Sequence, residues 1–137
     1  MTRKTKLIAA AAALAITFGA ALPAAPAYAG GSVSISVAPG SPDEARAMRL
    51  GLGMYAIAKG FKNGGISQNG FGNMAGLAQN GGGNFGVVHQ DGNGHNGTLT
   101  QNGNNNSYGL FQFGENTNGH VTQNGHGGTG ATFQFGW

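Results

Sequence analysis

Glutamine occurs in this chain at residues 68, 79, 90, 101, 112, 123 and 134 and nowhere else, so every interval is 11 residues. A residue type held in one phase over seven units marks a repeated structural unit. Two places after each glutamine stands a glycine: Gly70, Gly81, Gly92, Gly103, Gly114, Gly125 and Gly136. Two places before it stands Ile66, Leu77, Val88, Leu99, Leu110, Val121 or Thr132. Eleven residues also fill three turns of a supercoiled helix, but glycine supplies 28 of the 137 residues, and each one inside a helix costs about 1 kcal/mol relative to alanine. A strand of about six residues and a tight turn of about four fit the unit better. Gly81-Gly82-Gly83-Asn84, Asp91-Gly92-Asn93-Gly94 and Gly103-Asn104-Asn105-Asn106 read as such turns.

Side chains alternate along a strand, so the aliphatic column and the glutamines share one face. Four places before each glutamine, on that same face, stand Gly64, Ala75, Gly86, Gly97, Tyr108, Gly119 and Gly130, six of the seven small. Small, aliphatic and glutamine positions together imply two sheets packed closely around a thin interior. Phe111-Gln112-Phe113-Gly114 recurs as Phe133-Gln134-Phe135-Gly136, and Thr100-Gln101-Asn102-Gly103 as Thr122-Gln123-Asn124-Gly125, each 22 residues on. Alternate units therefore stack, and one coil is two strands and two turns. The expected fold is all-β, a two-sheet β-solenoid with Gln68, Gln90, Gln112 and Gln134 in one ladder and Gln79, Gln101 and Gln123 in the other. Neighbouring amides about 4.8 Å apart can hydrogen-bond up and down the ladder, which satisfies polar groups otherwise costly to bury. Phe111 over Phe133 and Phe113 over Phe135 are expected as an outer aromatic ladder.

The residues before the repeats differ in kind. Arg3, Lys4 and Lys6 precede an apolar run over 7–22, followed by Pro23, Pro26 and Ala27-Tyr28-Ala29. This pattern predicts a secretory signal peptide over 1–29, cleaved after Ala29 with Ala27 and Ala29 as its small residues. The formal charge of +3 sits in that leader, because the remainder holds four cations (Arg46, Arg49, Lys59, Lys62) against four acids (Asp43, Glu44, Asp91, Glu115). Without clustered cations, nucleic-acid binding has no electrostatic support. Residues 30–65 form an N-terminal segment in which alternation over 32–37 predicts a short strand. Ser41-Pro42-Asp43-Glu44 predicts the start of a weak helix over 42–59, either packed against the rest of the protein or disordered before export, with membrane contact as the lesser alternative. No transmembrane segment is expected in the mature chain. The seven-unit repeat domain spans 66–137.

Gln68-x-Gly70-x-x-Asn73-x-Ala75-x-x-x-Gln79 satisfies the curlin repeat pattern in full. Over residues 66–137 the chain resembles a curli fibre subunit. That resemblance implies an extracellular functional amyloid, exported through an outer-membrane secretion pore with periplasmic chaperones and polymerised at the cell surface into biofilm-matrix fibres for adhesion and attachment. It also implies a nucleator subunit as partner beside copies of the chain itself. Nucleators of the family carry basic terminal repeats, and no Lys or Arg follows Ile66 here, so the major subunit is the first reading and the nucleator the alternative.

Polymerisation is also expected on physical grounds. Uncapped end strands of low charge are templates for another chain, and head-to-tail stacking would continue both ladders at cross-β spacing. Leu, Ile, Val and Phe make up only 13 of the 72 residues from 66 to 137, so a lone chain is expected to order only on pairing. A monomeric secreted β-solenoid that binds ice or polysaccharide is the second class, but only Thr100 and Thr122 would form its threonine ladder. His89, His95, His120 and His126 occupy different places in the repeat and predict no metal site. Asp91 and Glu115 lie in separate turns and form no acid–base pair. No enzyme constellation and no cofactor site is expected.

Overall fold

The structure is a computed structural model that describes residues 30–137; the expected signal peptide and its Ala27 and Ala29 lie outside the described residues. The chain folds as β1 (Ser32–Val37), α1 (Pro42–Lys59) and seven successive strands. These are β2 (Gly64–Asn69), β3 (Met74–Asn80), β4 (Phe85–Asn93), β5 (Asn96–Asn104), β6 (Ser107–Glu115), β7 (Asn118–His126) and β8 (Thr129–Gly136). Even-numbered repeat strands build one wall in the order β1-β8-β6-β4-β2, and odd-numbered ones the other in the order β3-β5-β7. Within the repeats all pairing is parallel and offset by 22 residues, as in Gln90↔Gln112 and Gln101↔Gln123. The molecule is thus a flattened two-walled β-solenoid of about three coils.

Two separate apolar layers hold it. Inside the tube Val88, Leu99 and Leu110 are fully buried, with Ala75, Leu77, Tyr108 and Val121 against them. Outside the first wall lies a second cluster, in which Leu52 of α1 packs on Val87, Phe111 and Ala131, flanked by Met48, Tyr55, Phe85, Phe113 and Phe133. The small column makes the thinness of the tube possible: a Cβ at Gly97 would collide with Gln112 Oε1, and one at Gly86 with the facing Leu77 and Leu99 side chains.

The helix starts where its sequence provides a cap. Ser41 is extended (φ −146°, ψ 159°) and its hydroxyl accepts from Glu44 N at 3.3 Å, with Pro42 opening the first turn. Glu44 reaches back to Gly40 N at 2.7 Å, one residue beyond the position a standard capping box uses. Gly60 ends the helix at φ 77°, a left-handed conformation that glycine adopts without a Cβ clash. Met48, Leu52 and Tyr55 fall on one face and lie on the wall of even strands.

Two expectations change here. The rings Phe111–Phe133 and Phe113–Phe135 do stack, at 4.9 and 5.4 Å with planes 11° and 18° apart. They are not a free outer ladder, however, because α1 covers this face and leaves Phe111 buried. Nor is the C-terminal edge open on both walls: β1 pairs antiparallel with β8 from Ser32↔Gly136 to Val37↔Ala131. Residues 30–60 thus add a second apolar layer that the repeats lack.

Candidate assembly interface

Each wall carries a continuous row of side-chain amides. Nε2 of Gln68 donates to Gln90 Oε1 at 2.8 Å, Gln90 to Gln112 at 2.8 Å and Gln112 to Gln134 at 2.8 Å. On the facing wall Gln79 donates to Gln101 at 3.0 Å and Gln101 to Gln123 at 2.9 Å. In mid-stack the second N–H is also used: Gln90, Gln101 and Gln112 donate it to the carbonyls of Met74, Phe85 and Asn96 at 2.8–3.1 Å, and Gln134 donates to the Asn118 carbonyl at 3.0 Å. Gln90, Gln101 and Gln112 are 0% exposed, and no buried side-chain polar atom among the described residues lacks a partner. A polar interior is tolerated here because every amide is satisfied by an identical amide above or below it.

The turns carry a further row that the sequence reading left without a role. Nδ2 of Asn73, Asn84 and Asn106 donates to the carbonyls of Gly92, Gly103 and Gly125 at 2.8–2.9 Å. Their Oδ1 atoms accept from the backbone N–H of His95, Asn106 and Gly128 at 3.0–3.1 Å. His95 takes the same column position, fully buried in its turn, with Nδ1 2.8 Å from the Thr117 hydroxyl. The recurrent asparagine of Gln-x-Gly-x-x-Asn was the available signal. The glycines two places after each glutamine, from Gly70 to Gly125, have φ between 85° and 130°. Gly136 is not among the positive-φ residues, but a Cβ there would collide with the Glu115 carbonyl.

The rows do not end in the way they run. Val88 and Leu110 are 0% exposed, yet Ile66 in the same column is 38% exposed. Gln68, unlike Gln90, is exposed. At this lower end β2 and β3 have a neighbour on one side only. The side chains that are interior in mid-stack are therefore a surface here, and the Gln68 and Gln79 carbonyl oxygens accept from no glutamine. At the upper end β7 is likewise an edge, whereas β8 is covered by β1.

The histidines do not converge: His89 meets α1, His95 is buried in a turn, His120 lies beside Thr98 and His126 beside Asn104. Among the described residues no three metal-ligating side chains gather, and no helix is long and apolar enough to cross a membrane. Asp91 accepts from Asn69 Nδ2 at 2.8 Å.

His89 makes the α1 contact sensitive to pH. Its Nδ1 lies 2.7 Å from the Tyr55 hydroxyl, and Tyr55 packs edge-on against both His89 and Phe111. Burial holds the His89 imidazole below its ordinary range, with the Lys59 ammonium of α1 adding to this and Asp91 on the same strand opposing it. Burial raises the Tyr55 phenol, against the Ser67 hydroxyl and with Asp91. At neutral pH the contact thus joins a protonated phenol to a neutral imidazole. Phe113 on β6 also faces the ring, so no further charge compensates protonation. A histidine whose folded value is lowered contributes full stability above its unfolded value of about 6.5 and loses it as the pH falls through the lowered one. Between about pH 7.5 and about pH 5, amide exchange over 42–59, corrected for intrinsic rates, is expected to accelerate more than that of β4–β6. The excess is expected to disappear in His89→Phe; if it persists there, another group is responsible.

No protein-family model, curated protein or solved structure matches the chain.

Proposed function

We propose that this chain is a secreted structural protein that polymerises with copies of itself into extracellular fibres of the curli type, which serve as biofilm matrix and attach cells to surfaces. One observation carries the reading: the tube is unterminated at β2 and β3, where two amide rows and an aliphatic column end in solvent. A second copy stacked end-on supplies the missing row at the same repeat spacing. The full curlin pattern over Gln68–Gln79 supports the cellular role, together with export through an outer-membrane pore and a nucleator as partner. The absence of Lys and Arg after Ile66 favours the major subunit over the nucleator.

Purified mature chain, held on the order of tens of micromolar, is expected to form thioflavin-positive fibres after a lag that preformed seeds abolish. A chain that stays monomeric for days with seeds present overturns the reading and leaves a monomeric surface-binding solenoid in its place.

A further inference from the structure

The upper end differs from the lower one in a way that bears on when stacking can begin. With seven repeat strands, β8 stands half a coil above β7, so the tube ends in a step. A copy that continues both walls without a gap must lay its first strand, β2, on β7 and its second, β3, on β8. Its Gln68 then accepts from Gln123 and its Gln79 from Gln134. The place on β8 is already taken by β1.

The strand β1 cannot serve as a rung of the tube. It runs antiparallel to β8 where every other pairing in both walls is parallel. Opposite Thr132 and Gln134 it places Ser36 and Ser34, and the one side-chain bond to the interior column is Ser36 Oγ to Thr132 Oγ1 at 2.9 Å. A serine hydroxyl on this strand continues no amide row. Beside it, where the first strand of an incoming copy would lie on β7, is an open cavity of about 450 Å³ lined by Ser34, Ser36, Tyr108, Asn118, Val121 and Gln134. The step itself is held by α1, whose Arg49 donates to Thr129 Oγ1 at 2.8 Å and to the Gly127 carbonyl at 2.6 Å.

We propose that β1 is an intramolecular stop on assembly: it occupies the edge of β8 that a second copy of the chain requires, and its displacement turns a self-terminated monomer into a growing end. The inference rests on the polymerisation reading and adds its regulation. A monomer with β1 in place keeps a free lower end and can join a fibre tip once, after which it blocks that tip.

A crosslink tests this directly, because the chain has no cysteine of its own. Gly31 and Trp137 exchange both backbone hydrogen bonds, so alternate positions, including Ser36↔Thr132, are the close non-hydrogen-bonded pairs, with Cα atoms about 4.5 Å apart. That spacing suits a disulfide. Ser36→Cys/Thr132→Cys in the mature chain, oxidised and verified by mass, is expected to elongate wild-type seeds at least about tenfold more slowly than the same protein reduced. It is also expected to halt wild-type growth when added at about one part in ten. Crosslinked protein that elongates at the reduced rate overturns the proposal. Ile35→Pro is the independent arm: Ile35 sits opposite Phe133 at a hydrogen-bonded pair, and proline removes its N–H from the β8 edge. It is expected to shorten the unseeded lag, and an unchanged lag overturns the proposal even if the cysteine pair is inert in both redox states. Wild type that fails to grow under every condition removes the polymerisation reading itself, an outcome separate from equal growth of locked and unlocked protein.

Discussion

A Gln112→Leu chain is expected to lose a large share of its folded stability and, if the proposed assembly holds, to extend fibres poorly. Leucine has a similar volume but no amide, and Gln112 is completely buried. The substitution removes three hydrogen bonds at once: from Gln90 at 2.8 Å, to Gln134 at 2.8 Å and to the Asn96 carbonyl at 3.0 Å. It strands the Gln90 N–H and the Asn96 carbonyl beside an apolar side chain. At about 1–3 kcal/mol for each buried group left without a partner, the loss is about 3 kcal/mol or more, a large share of the roughly 5–15 kcal/mol that stabilises an ordinary domain. Gln79→Leu provides the comparison. Gln79 ends its row half-buried, with one good bond at 3.0 Å to Gln101 and a long one at 3.4 Å to Asn63, and water can replace both. Its cost in a urea titration is expected below about 1 kcal/mol. Similar midpoints for the two variants would show that the amide row contributes nothing beyond packing.

The second large effect is expected at Gly103, where Gly103→Ala removes the register of stacked turns. Gly103 has φ 114°, and a Cβ there would collide with the Gly125 carbonyl in the turn above. Gly125 has nearly the same conformation, φ 107°, but a Cβ on it would meet nothing within 4 Å. Both alanines incur the strain of a backbone region that L-residues avoid, about 1–3 kcal/mol. Only the first forces two turns apart at a spacing of about 4.8 Å. Gly103→Ala is therefore expected to exceed Gly125→Ala by about 2 kcal/mol or more in chemical denaturation. Equal costs would mean that backbone strain alone keeps glycine in the repeat.

The tube was legible in the sequence because its physics is repetitive. An amide can be buried only against its own copy, so Gln90 and Gln112 must share a phase, and the likeness of Phe111–Gly114 to Phe133–Gly136 reveals which units lie above one another. The strand β1 and helix α1 were legible as elements from alternation and from the Ser41-Pro42 start. Their destinations were not. Ser36 meets Thr132 across 96 residues, and Arg49 meets Thr129 across 80. Each of these contacts occurs once, so no periodicity announces it. A weaker signal was present in the outward positions. Val87, Phe111, Phe113, Phe133 and Phe135 all fall on even strands, whereas Thr98, Thr100, Asn102, His120, Thr122 and Asn124 fall on odd ones. An apolar outer face on one wall only is the mark of a wall with something laid against it.

The amides also all lean one way. In every glutamine pair the residue earlier in the chain donates and the later one accepts. The bottom of the molecule consequently offers amide oxygens, and the top, where β1 leaves it open, the amide N–H groups of Gln123, so two tops or two bottoms brought together would set like against like. Any filament made from this protein is a one-way track with unlike poles: broken pieces rejoin only nose to tail, and a filament rooted in a surface always shows the same chemical face at its far tip.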